Sequence, residues 1–146
     1  MNLSRVLPDL QSSLLCEEIR QEANGNFLII GVIHYLRVPQ LPVTAARLCV
    51  FNCWTAGVGQ FTETVRLFGP DQTTVLRKKE TSFELPGPES VSASVTIFGQ
   101  LEFKDPGTHY IEVSVDEMRK LRYPVTVVLV QPPRRTAPVP VEAQPA

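Results

Sequence analysis

From Val91 to Phe103 the odd-numbered residues read Val, Ala, Val, Ile, Gly, Leu, Phe, and the even ones between them read Ser, Ser, Thr, Phe, Gln, Glu. A period of two is the signature of a β-strand with one face toward a core. It predicts that Val91, Ala93, Val95, Ile97, Leu101 and Phe103 form the buried face. After Lys104-Asp105-Pro106-Gly107 the alternation returns with Ile111, Val113 and Val115, and again with Leu121, Tyr123, Val125, Val127 and Leu129. Three such strands joined by short polar turns predict an antiparallel meander, one face of which the rest of the chain must cover.

Upstream, Phe27 to Leu36 is apolar at both odd and even positions, with Phe27, Ile29, Ile33 and Tyr35 on one side and Leu28, Ile30, Val32 and Leu36 on the other. Such a run predicts a central strand covered on both faces. Pro39 and Pro42 remove ladder donors and predict a corner between sheets. Residues 47–55 repeat the pattern, Leu48, Val50 and Trp54 on one face and Cys49, Phe51 and Cys53 on the other. Phe61, Val65 and Leu67 resume the alternation before the tight connection Gly69-Pro70-Asp71-Gln72. Thr73–Arg77 and Thr81–Leu85 are short, polar runs suited to a sheet edge, where Lys78 and Lys79 discourage unwanted pairing. Residues 14–22 have good helix propensity, yet Asn24-Gly25 before Phe27 is also a strong hairpin signal.

About eight short strands with closely spaced turns predict an all-β fold, an antiparallel β-sandwich of immunoglobulin-like or C2-like Greek-key topology. At 146 residues the chain has room for one domain with a core that needs no disulfide or metal. Residues 1–11 read as an N-terminal arm interrupted by Pro8, 12–131 as the domain, and 132–146 as a Pro-rich flexible tail; five of the 13 prolines fall after Gln131.

A formal charge of −1 gives no basic field for nucleic acid or anionic lipid. No apolar run is long enough to span a bilayer, and the first residues lack a signal-peptide pattern, so the expected address is the cytoplasm. Three cysteines, Cys16, Cys49 and Cys53, fit buried thiols better than a disulfide framework.

The run Cys16-Glu17-Glu18-Ile19-Arg20, then Gly25, Leu28-Ile29-Ile30-Gly31-Val32, Pro39, Pro42 and Phe103-Lys104-Asp105-Pro106-Gly107-Thr108-His109-Tyr110 resembles a family of small uncharacterised bacterial β-sandwich proteins known only as a domain of unknown function. The likeness covers roughly residues 12–130. It implies a compact sandwich in which residues 16–22 are strand, and no catalytic residues or cofactor. Sandwich domains often place a Tyr two residues after the corner glycine, where this chain has His109, with Tyr110 next.

Candidate chemistry is sparse. Cys49 and Cys53, four apart on one strand face, are about 13 Å from each other, too far for a disulfide or shared metal. His34 and His109, with Glu17 or a cysteine, lack ligand spacing, and structural roles are expected. Asp71, Asp105 and Asp116 are lone turn acids, unlike the convergent oxygens of a calcium loop. No metal, cofactor or catalytic constellation is implied.

One feature of the pattern stands out. A two-layer sandwich covers each sheet once, yet residues 27–36 and 46–55 are apolar on both faces. A protein partner or self-association is therefore expected there, with Leu28, Ile30, Val32, Tyr35, Phe51 and Trp54 as the surface and the tail, with Arg134 and Arg135, as a tether. The competing expectation is a small-ligand or carbohydrate site built on Tyr35, Trp54 or Tyr110.

Overall fold

The computed structural model describes residues 5–130. Nine strands follow one another: β1 (Asp9–Gln21), β2 (Phe27–Val32), β3 (Tyr35–Val38), β4 (Val43–Thr55), β5 (Gly59–Phe68), β6 (Val75–Leu85), β7 (Val91–Phe103), β8 (Gly107–Val115) and β9 (Met118–Leu129). They form a four-stranded sheet ordered β2-β1-β4-β7 and a five-stranded sheet ordered β3-β9-β8-β5-β6. With β1, β2, β4 and β7 in one sheet and β3, β5, β6, β8 and β9 in the other, the chain crosses between layers after β2, β3, β4, β6 and β7. This is the immunoglobulin-like arrangement. Residues 14–22 are strand, joined to β2 through Asn24-Gly25, where Gly25 takes φ +92. The expected tail lies outside the described residues. β1 begins at Asp9, and ahead of it Val6 bridges to Val58.

Several strand expectations change. The presumed meander is divided: β7 pairs with β4, whereas β8 and β9 pair in the opposite sheet. Pro106 supplies no ladder donor and Gly107 adopts φ +115, so the connection arches across the layers instead of returning alongside β7. The apolar run 27–36 is likewise two strands in two sheets, each at an edge. Gly31, at φ +70, breaks the strand's geometry before the chain crosses over. The short β3 runs parallel to β9, so the sandwich is not wholly antiparallel. Pro39 and Pro42 do mark a corner between sheets, with the Leu41–Pro42 bond cis. The polar runs after Gly69 are one edge strand, β6, with Lys78 and Lys79 exposed.

The face assignment of β7 is the largest correction. Residues Ser94, Thr96 and Phe98 face the core, and so do Leu101 and Phe103. Inward residues are thus even up to 98 and odd from 101. β4 changes in step, with Val43 and Ala45 packing on the core at one end and Leu48, Val50 and Trp54 at the other. The pairing register holds throughout, from Val43↔Phe103 to Thr55↔Val91. Gln100, at φ +49, is where β7 turns over. Val91, Ala93, Val95 and Ile97 therefore point away from the core.

What draws a hydroxyl-bearing face inward is Glu63 on β5, which is fully buried. Its Oε1 accepts three hydrogen bonds, from Trp54 Nε1 at 2.7 Å, Ser94 Oγ at 2.6 Å and Asn52 Nδ2 at 3.0 Å. Strands β4, β5 and β7 are thereby tied across the two layers. Trp54 also stacks on Phe83 at 5.4 Å, which leans on Phe61 at 5.6 Å. Burying each such side chain contributes about 1.5–3 kcal/mol. At the β7–β8 corner His109 replaces the expected tyrosine. Its Nδ1 lies 3.0 Å from the Gly107 carbonyl, and its ring meets Phe103 edge-on at 5.2 Å.

Removing a shared acceptor leaves its donors buried and unpaired. Glu63→Ala is expected to cost about 3–5 kcal/mol in urea unfolding. Glu63→Gln keeps an oxygen at the same place and is expected to cost less than half as much. Equal losses for the two variants would contradict this role.

Candidate functional site

The two outer faces of the sandwich differ in kind. On the five-stranded sheet the register aligns Arg66, Glu112 and Arg122 in one row and Phe68, Tyr110 and Pro124 in the next. Arg122 lies over both Phe68 and Tyr110, at 4.9 and 4.7 Å, and its guanidinium approaches Glu112. That face is closed by its own charges and aromatic rings.

The outer face of the four-stranded sheet carries Leu14 and Cys16 from β1, Cys49, Phe51 and Cys53 from β4, and Val91, Ala93, Val95 and Ile97 from β7. Opposed residues in a ladder share a face, and Cys16↔Cys49, Leu14↔Phe51, Phe51↔Val95 and Cys53↔Ala93 are all opposed. Part of this apolar face is covered by the chain itself. Phe27 pairs with Gln21, and Phe51 pairs with Leu14, seven positions away along β1. A flat sheet would hold the two rings about 23 Å apart. Their centroids are 5.2 Å apart, so the β1–β2 hairpin curls back over the outer face. Gly31 permits the bend: it has positive φ, and a Cβ there would sit 2.8 Å from the Glu17 side chain.

The hairpin does not reach β7. Val91 is 61% exposed, Ile97 55% and Val95 39%. Among the described residues no strand pairs with the outer edge of β7 either. Gly99 turns its carbonyl off the sheet, where Arg77 of β6 donates to it at 2.8 Å. Peptide groups alternate in direction along a strand, so Ile97, Val95, Ala93 and Val91 also direct N–H and C=O off the edge. The ladder on β1 gives the same phase. Leu15 accepts from Ile33 on the β2 side, so Cys16 faces β4, Cys49 faces back, and Val50 and Asn52 face β7.

The six residues expected to form one surface are dispersed. Leu28 and Val32 on β2 are exposed and Ile30 is half-buried. Phe51 lies on the same outer face beneath Phe27. Tyr35 is exposed on the other sheet, 5.7 Å below the Arg37 guanidinium. Trp54 is removed from the surface altogether: its even parity places it inward, and Glu63 binds its N–H. Of the aromatic rings expected for sugar stacking, Trp54 is in the core and Tyr110 lies under Arg122, while Tyr35 stays exposed beside Arg37. The β7 stripe was missed because its alternation does not tell which face is inside.

The thiols are enclosed. Cys16 and Cys49 stand opposite each other, a pairing the sequence spacing concealed, and both are free. Cys16 Sγ lies 3.6 Å from the Cys49 carbonyl and Cys49 Sγ 3.7 Å from that of Glu17. Burial pushes the Cys16 thiol up to about 11 and raises Cys49 and Cys53 as well. Such thiols are poor nucleophiles. His34 is exposed and Glu17 lies on the curled hairpin, apart from His109.

A shallow cleft of about 300 Å³ opens at the other end, lined by Asp71, Thr74, Lys104, Asp105 and His109 among others. Asp71 is spent on its own turn: hydrogen bonds from the Thr74 hydroxyl, then from the Thr74 and Thr73 amides, hold its carboxyl down at about 2. Burial lowers His109 below the ordinary imidazole value. Asp116 accepts from the Thr62 amide and pairs with Arg5. Among the described residues no three His, Cys, Asp or Glu side chains converge on a metal position.

The hairpin's cover of the outer face is testable. Phe27→Ala is expected to cost about 1–2 kcal/mol and to speed modification of Cys49 by a disulfide reagent about tenfold, followed by mass spectrometry. An unchanged Cys49 rate would contradict the curled hairpin.

Among solved structures, the chain is similar to a β-glucosidase from Listeria innocua in complex with glucose, at 12% identity and a TM-score of 0.47, over 85% of this chain and 16% of that one. It is also similar to the CARDB domain of the PF1109 protein from Pyrococcus furiosus, in complex with di-metal ions, at 17% identity and a TM-score of 0.42, over 88% and 95% of the two chains. This chain thus spans about one sixth of the glucosidase's length. No curated protein matches it. Among the described residues no helix is long and apolar enough to cross a membrane. The model of a family of unknown function, DUF6941, matches residues 11–128, most of the sandwich, and the chain belongs to that family.

Proposed function

We propose that this chain is a non-enzymatic protein-interaction or assembly module, which docks a partner chain along β7 and the adjoining outer face of the four-stranded sheet. One observation carries the reading: among the described residues, exposed apolar side chains and unpaired backbone groups coincide at Val91, Ala93, Val95 and Ile97. An open edge of this kind is a template for another strand. The opposite outer face, closed by Arg66, Glu112 and Arg122, serves as the inert side. Three enclosed free thiols fit a reducing compartment, so we place the protein in the cytoplasm.

A photoreactive phenylalanine analogue at Val95, introduced in the native host cell, tests the reading. It is expected to give one or a few discrete adducts, with none from the same probe at Arg37 on the far edge. Silence at Val95, or equal labelling at both positions, would overturn it.

A further inference from the structure

We infer that the partner at this edge is a second copy of the same chain, with β7 pairing antiparallel to its own counterpart about a two-fold axis at Ser94. The inference rests on the interaction reading above and adds the identity of the partner.

Pairing through a two-fold axis sets each residue of the strand beside the one mirrored about the axis, so residues on either side of it must suit one another. Residues 91–97 do so about Ser94: Val91 matches Ile97, Ser92 matches Thr96, and Ala93 matches Val95. The residues whose peptide groups point off the edge are the odd ones. In this register they meet as Val91 with Ile97 and Ala93 with Val95 of the second copy, each pair exchanging two hydrogen bonds. About eight backbone bonds result. The apolar side chains of these residues lie side by side on the outer face, and the hydroxyls stay inside each sandwich, where Ser94 already donates to Glu63. Arg77 occupies the Gly99 carbonyl and ends the free edge just beyond the matched segment.

The other edges are guarded against such pairing. β6 carries Lys78, Lys79 and Glu80, β3 carries Arg37 and leads into Pro39, and β2 is bent at Gly31. Residues 91–99 hold neither charge nor proline. A like strand is the occupant that an uncharged, self-matching edge selects, since it brings no charge to be buried.

Sedimentation velocity and light scattering of the full chain, from about 1 µM to about 1 mM, read the outcome. The mass is expected to rise from 16.3 kDa to twice that value. Two substitutions address the edge. Ala93→Pro removes an outward N–H, so the β4–β7 ladder loses no bond, and Val95→Lys places a charge on the two-fold seam. Each is expected to raise the dimer dissociation constant about tenfold or more while the circular dichroism and melting of the monomer stay those of a folded sandwich. A wild-type chain that is monomeric throughout, or a dimer that both variants leave intact, overturns self-pairing. If a monomeric chain still gives Val95 adducts with a different protein, the interaction reading stands and the second copy is wrong. If it gives neither dimer nor adduct, both fail.

Discussion

The hydrogen bonds converging on Glu63 Oε1 govern how this sandwich is put together. A carboxylate buried between two sheets is tolerated only when donors meet it, and here the donors come from Trp54 and Asn52 on β4 and Ser94 on β7. Because pleated side chains alternate strictly, committing Ser94 inward also commits Thr96 inward and sends Val91, Ala93, Val95 and Ile97 outward. The apolar side of β7 is therefore a consequence of core polar chemistry. The cost of leaving Val91 and Ile97 in water is offset by satisfying three buried donors.

The same logic explains why the sheets turn over locally. Near Gln100 both β4 and β7 change the face they present while their register is kept, which lets Leu101, Phe103, Val43 and Ala45 fill the core beyond the polar cluster. Gly31 permits a comparable bend in the β1–β2 hairpin, which lays Phe27 on Phe51. The two bends divide the outer face into a half covered by its own hairpin and a half left open at β7.

Much of the fold was legible in the residues. Period-two runs located most strands, Asn24-Gly25 located the first hairpin, and Pro39 and Pro42 located a crossing between sheets. The lysines of β6 marked an edge. The direction of β7 was not legible, since alternation shows that a strand has two faces and is silent about which one another strand's Glu63 will claim. Nor was the division of residues 27–36, where continuous hydrophobicity hid two edge strands separated by the bend at Gly31. Trp54 was misplaced on the surface for a related reason: its hydrogen-bond partner, Glu63, lies nine residues on, in the opposite sheet. Of the residues expected to form the surface, Leu28, Ile30, Val32 and Phe51 belong to the four-stranded sheet, Tyr35 to the other and Trp54 to the core, and the open strand β7 was not among them.

Residue-resolved amide hydrogen exchange along β7 reads which way its residues face, because side-chain facing and peptide direction are locked together in a strand. Ser92, Ser94 and Thr96 are expected to be protected at every protein concentration, whereas Ala93, Val95 and Ile97 exchange fast when dilute and become protected as the concentration rises. Protection of Ala93, Val95 and Ile97 in dilute solution, with Ser94 and Thr96 unprotected, would contradict this facing.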